Sequence, residues 1–167
     1  MTITLRPIAL LLLGAATVYA IARWTLDPLR CTYAASTGAA RLESADPSDY
    51  RTRRVARQLR NELANCQCVS PPDAGIFMTR AAAAENDGDR VAAIAEYQNA
   101  LRVDRRPEIY FDVGLLQHET GNERDAVANL ARACAFNPAL AADIPDESLR
   151  LETERRVRAE YGDNWMR

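Results

Sequence analysis

The 167-residue chain has no lysine and one histidine, His118. A single histidine excludes a multi-histidine metal centre, a Cys-x-x-Cys-His haem attachment and most nucleophilic triads. Glycine is scarce and its copies stand singly, so no glycine-rich phosphate loop is present. Neither sign of charge is in large excess: 21 basic against 23 acidic residues give a formal charge of -2, too little field to grip nucleic acid. Aromatic residues are sparse at 7%, while alanine is abundant, a balance that suits closely packed helices better than a β-sandwich. The acidic side chains lie among arginines, the setting of solvated ion pairs, and no catalytic constellation emerges. What remains is a chain with enough apolar residues for one core and no sign of an enzyme, a metal or a cofactor.

One long apolar run is present. Ile8 to Ala22 carry no charge and are flanked by Arg6 and by Arg23 and Trp24. Extended from Pro7 to Leu26, with Arg23 snorkelling and Tyr19 and Trp24 near an interface, the run is long enough for a membrane span, which makes residues 1–26 an anchor or signal unit. Cleavage after Ala20 or Ala22 is the alternative, which would release a soluble secreted binding module. Arginines on both sides leave orientation undecided by charge. A short tail before a long body, and three cysteines just beyond the membrane, favour export. The expectation is a single-pass inner-membrane protein with a periplasmic body.

Residues 27–45 read as a tether of small and polar residues. Asp46-Pro47 then looks like a helix start, opening an amphipathic lead helix over 46–69. Tyr50, Val55, Leu59, Leu63 and Cys66 make its apolar stripe, and Arg51, Arg53, Arg54, Arg57 and Arg60 cover the other side. Those arginines suit either anionic headgroups or a solvated face. Pro71-Pro72-Asp73 ends this helix and caps the next.

The strongest signal is internal similarity at a spacing of about 33 residues. Phe77 aligns with Tyr110, Gly88-Asp89 with Gly121-Asn122, Ala93 with Ala126 and Ala100 with Ala133. Each unit reads helix, glycine turn, helix. Gly88 and Gly121 close the first helices, and Asp89 and Asn122 cap the second ones. The second unit, with Tyr110, Val113-Gly114, Gly121-Asn122, Ala126, Leu130, Ala133 and Pro138, resembles the tetratricopeptide repeat. The first keeps Phe77, Gly88, Ala93, Tyr97 and Ala100, but has Arg80-Ala81 where that family prefers a large apolar residue followed by glycine. Two repeats over 73–138 need covers at both ends. The lead helix supplies one, and a helix over 145–167, with Leu149, Thr153, Val157 and Tyr161 on one stripe, supplies the other.

The fold expected is all-α: a right-handed superhelix of helical hairpins preceded by a transmembrane helix. The resemblance implies a non-catalytic scaffold for a protein or peptide partner, here one belonging to a membrane complex. In that family the first helix of each unit lines the concave face, which maps to Met78, Ala82 and Glu85, and then to Phe111, Leu115, His118 and Glu119. The competing expectation is that covering helices occupy so short a groove.

Four cysteines complete the inventory. Cys134 stands at an inward-facing position of the second unit and reads as core. In an oxidising compartment, a disulfide from Cys31 to either Cys66 or Cys68 would fasten tether to domain. The third thiol leaves open a thiol-disulfide or metal-handling protein that uses Cys66 and Cys68.

Overall fold

Good helix formers run through most of the sequence, and Gly88, Pro107, Gly121 and Pro138 fall at the ends of the runs. A computed structural model, which describes residues 6–43, 49–64, 66 and 73–162, is accordingly all-α, with no strand among the described residues. Its helices are α1 (Arg6–Glu43), α2 (Tyr50–Ala64), α3 (Ala74–Asn86), α4 (Arg90–Val103), α5 (Pro107–Glu119), α6 (Glu123–Phe136) and α7 (Glu147–Tyr161). A 3-10 segment, Pro138–Asp143, joins the last two.

The predicted tether over 27–45 is instead helix as far as Glu43. Pro28 lies inside α1, although it cannot donate to the carbonyl one turn back. Tertiary packing explains the continuation. Cys31, Ala35, Gly38 and Leu42 recur at spacings of four, three and four, and all four are buried against α2 and α3. At Gly38 the approach is so close that an added Cβ would lie 2.5 Å from Leu59 Cδ1. Among the described residues no helix carries a run long and apolar enough to cross a membrane. The side chains of Ile8 to Leu12, which begin the apolar run, lie outside the described residues.

The lead helix is shorter than 46–69 and starts at Tyr50, with the Asp49 carboxylate accepting from the Arg51 amide at 2.9 Å. Asp46 and Pro47, expected to start it, lie outside the described residues. Its buried stripe also differs: Thr52, Ala56, Leu59 and Leu63 face inward, while Tyr50 and Val55 are exposed. The five-residue step from Tyr50 to Val55 cannot stay on one face of a 3.6-residue helix, whereas steps of four, three and four can. Arg57 and Arg60 turn to Asp87 and Asp89 at the α3–α4 corner, with contacts of 2.6, 3.3 and 3.0 Å.

The internal repeat is explicit in the backbone. In the first hairpin Asp87, Gly88 and Asp89 donate to Ala83, Glu85 and Ala84; in the second, Thr120, Gly121 and Asn122 donate to Leu116, His118 and Gln117, each partner 33 residues on. Gly88 and Gly121 sit at φ +84° and +80°, where a side chain would be strained. The caps differ. Asp89 accepts from the Ala92 amide at 3.1 Å, but Asn122 makes no side-chain cap bond and donates to Asp125 instead. A carboxylate attracts helix N-terminal amides more strongly than an amide oxygen does. Arg80, the residue out of pattern, is accommodated by an ion pair with Glu96 inside the first hairpin; its counterpart 33 residues on, in the second hairpin, is apolar Val113.

Pairing within each hairpin is α3 on α4 and α5 on α6, and α4 packs on α5 between them. The α1–α2 pair covers α3, and α7 covers α6. Asp146 caps α7 through the Leu149 amide at 2.8 Å, and Leu149, Thr153 and Val157 are buried. Tyr161, assigned to the same stripe, is half exposed at the frayed end of the helix. Residues 163–167 of the expected 145–167 unit lie outside the described residues.

Gly114 marks a close approach of α5 and α6. A Cβ there would lie 2.6 Å from Leu130 Cγ and 3.1 Å from the Ala126 carbonyl oxygen. Gly114→Leu is therefore expected to cost about 2 to 3 kcal/mol by forcing α5 and α6 apart. Thermal unfolding of the purified chain reads this out, and an unchanged melting temperature would contradict the helix contact.

Candidate groove and disulfide

Because α1 lies along α3 while α2 fills the space beside them, the two helices leave a groove of about 540 Å³. Thr32, Ala35, Ser36, Ala39 and Leu42 form one wall. Met78, Thr79 and Ala82 form the other, and Tyr97 and Arg106 stand at its borders. Small side chains on both walls keep it open. The Thr79 hydroxyl is satisfied locally by the Gly75 carbonyl at 2.9 Å. Arg106 donates to the Met78 sulfur at 3.0 Å and pairs with Asp104 at 2.8 Å.

The seven residues predicted for the concave face divide sharply. Met78 and Ala82 line the groove, and Glu85 follows one turn later on α3, exposed. Phe111 and Leu115 do not face an open concavity. Phe111 is 9% exposed and packs with Leu130, Cys134, Ile144, Leu149 and Val157, and Leu115 packs against the same cluster. Helix α7 and the 3-10 segment cover this half, as the competing expectation allowed. His118 Nδ1 lies 2.9 Å from Glu123 Oε2, and Glu119 pairs with Arg90, so both are engaged in surface contacts. A tether over 27–45 does not anticipate the α1 wall, although the spacing 31, 35, 38, 42 in the sequence carries its signal.

The electrostatics beyond Tyr97 are one-sided. Burial, with Glu85 and Glu108 nearby, pushes the Asp112 carboxyl up to about 6. Although the Glu85 residue reaches the surface, partial desolvation of its carboxyl and the Glu119 charge raise it as well, only partly offset by Arg90 and a hydrogen bond from Tyr97. Burial raises the Tyr97 phenol well above its ordinary range. A carboxyl that holds its proton more tightly when folded favours the native state at low pH and loses that benefit as pH rises from about 4 to about 6. Asp112→Asn is thus expected to raise stability by about 1 to 2 kcal/mol at pH 7.5 and to leave it unchanged near pH 4. Melting temperatures of both proteins across that range test the sign.

Cys31 and Cys66 form a disulfide, with Cα atoms 5.7 Å apart. It joins α1 to a residue two positions past the end of α2, and both cysteines are buried in the cluster that includes Leu59, Leu63 and Ile76. Of the two partners expected for Cys31, Cys66 takes it, and Cys68 lies outside the described residues. A Cys66–Cys68 redox or metal pair would require that bond to open first. Among the described residues no group of three histidine, cysteine or acidic side chains could hold a metal. Cys134 is a free, buried thiol, pushed up to about 11 chiefly by burial. No family model, curated protein or solved structure matches the chain.

Proposed function

We propose that this chain is a non-catalytic, membrane-anchored adaptor of the tetratricopeptide type, an accessory or assembly subunit of a larger envelope complex. The observation that carries the interaction reading is the apolar groove bounded by α1 and the first repeated hairpin, open beside Met78 and Ala82. Two hairpins with identical turn hydrogen bonds at a 33-residue period support the family resemblance, and stacked hairpins of that kind present surface, not reactive groups.

The membrane reading rests on the uncharged stretch Ile8 to Ala22 and on its surroundings. Leu13, Val18, Tyr19, Ile21, Leu26 and Leu29 all stand exposed on α1, beyond the part that packs on the domain. The Thr17 and Thr25 hydroxyls donate to carbonyls one turn back at 2.7 Å, so they need no water. A single-pass inner-membrane protein with its body in the periplasm accommodates the Cys31–Cys66 bond, which an oxidising compartment maintains.

Extraction from membranes in mild detergent tests the proposal. The expected result is a particle larger than the monomer that contains an integral membrane protein, with residues 1–26 retained. A cleaved, monomeric chain would favour the secreted-module alternative and overturn the adaptor reading.

A further inference from the structure

The groove's chemistry says what kind of segment it takes, an inference that rests on the adaptor reading above. Along its length Ala35, Ala39 and Leu42 face Met78 and Ala82, so the walls offer apolar contact and little else. One border is Tyr97, which shares a hydrogen bond with Glu85. Past it the charges acting on Asp112 are Glu85 and Glu108, both of its own sign. Arg90 acts on Glu85 but is itself paired with Glu119. Near the opposite border Asp73 is used in capping α3, and Arg106 is paired with Asp104. Carboxylates grouped without a matching cation repel one another, and an arriving cation reverses the sign of that interaction.

The groove's position adds a second constraint. Its first wall is α1 itself, the helix that carries the apolar run. With a span ending near Leu26, Thr32 to Leu42 stand about 9 to 24 Å further along the same helix, at 1.5 Å per residue. The Cys31–Cys66 bond and the buried Gly38–Leu59 contact hold that wall to the domain. A segment lying in the groove is therefore close to the bilayer.

We propose that the groove takes a membrane-proximal segment of an integral membrane partner in which apolar side chains flank an arginine or lysine. The apolar part lies along Ala35, Ala39, Met78 and Ala82, and the cation reaches Glu85 and Asp112. Acidic segments are turned away by the same carboxylates, which gives the site a direction as well as a preference.

Fluorescent twelve-residue peptides, titrated into the detergent-solubilised full chain, test this. A leucine–arginine peptide is expected to bind at least ten-fold tighter than a leucine–glutamate or a serine–arginine peptide. The double substitution Glu85→Gln, Asp112→Asn should weaken the leucine–arginine peptide at least five-fold without lowering the melting temperature. Ala82→Trp and, from the other wall, Ala39→Trp should each abolish binding while the protein still melts cooperatively. Equal binding of the three peptides, no binding, or full binding to a folded Trp variant would overturn the proposal. In phosphatidylcholine nanodiscs, a lipid-anchored leucine–arginine peptide should outbind the free one at least ten-fold through its effective concentration, and the absence of a gain would remove the juxtamembrane placement. Flotation with phosphatidylcholine liposomes separates the two readings. A chain that does not float but keeps the peptide preference would remove the anchor alone, whereas one that floats without any preference would remove this inference alone.

Discussion

Phe111→Ala is expected to destabilise the protein by about 3 to 5 kcal/mol, because it empties a site that is 9% exposed at the junction of α5, α6 and α7. Its ring fills the space among Leu130, Cys134, Ile144, Leu149 and Val157, and no neighbouring side chain is long enough to replace it. Leu115→Ala, at a partly buried position on the edge of the same cluster, should cost about 1 to 2 kcal/mol. The resemblance to tetratricopeptide repeats suggested the opposite: both residues on an open face, removable at little cost. Chemical denaturation of the two variants decides between these outcomes. If Phe111→Ala kept wild-type stability, α7 could not be seated as described and the second half of the concave face would be open. Removing α7 by ending the chain before Glu147 should reproduce most of the Phe111→Ala loss, since it strips the same cluster from the other side.

Why Phe111 misled and Met78 did not is a matter of what lies opposite. Positions 33 residues apart share backbone geometry and local packing, so the glycine turns, Ala93 with Ala126, and Ala100 with Ala133 could all be placed from the sequence. The repeat says nothing about the next layer. Phe111 meets α7 and the 3-10 segment, whereas Met78 meets α1 across a gap. That gap is the least legible part of the chain, because residues 27–45 contain proline, threonine and serine, a composition that reads as linker. Their helicity is imposed from outside: Gly38 lets Leu59 approach closely, Cys31, Ala35 and Leu42 are buried on the same face, and this packing outweighs the poor local propensity. The α2 stripe failed for a similar reason. Buried Thr52 and Ala56 are less conspicuous than Tyr50 and Val55, yet they are the residues that continue the four, three, four spacing through Leu59 and Leu63.

Opening the Cys31–Cys66 bond is expected to have the other large effect. Its partners are 35 residues apart in sequence, and closing a loop of that length removes unfolded-chain entropy worth about 4 kcal/mol. For a chain of this size that corresponds to a fall of about 8 to 16 °C in melting temperature on reduction. The consequence should also be local. On the domain side α1 is held by Ala35 and Gly38, which bury little area, and by one larger side chain, Leu42, so the bond contributes a good part of what keeps the groove's first wall in place. Spin labels at Ala39 and Ala82 in the oxidised protein should give one narrow distance, broadening when a dithiol is added. The choice of substitution matters, because Cys68 lies two residues beyond Cys66. Cys66→Ser leaves Cys31 a second possible partner and should show a partial loss, whereas Cys31→Ser removes the bond from the α1 side and should show all of it. Cys66→Ser with Cys68→Ser must then match Cys31→Ser. Equal melting temperatures for wild type and Cys31→Ser would mean that packing alone holds α1, and the disulfide would lose its role as the clasp between α1 and the other helices.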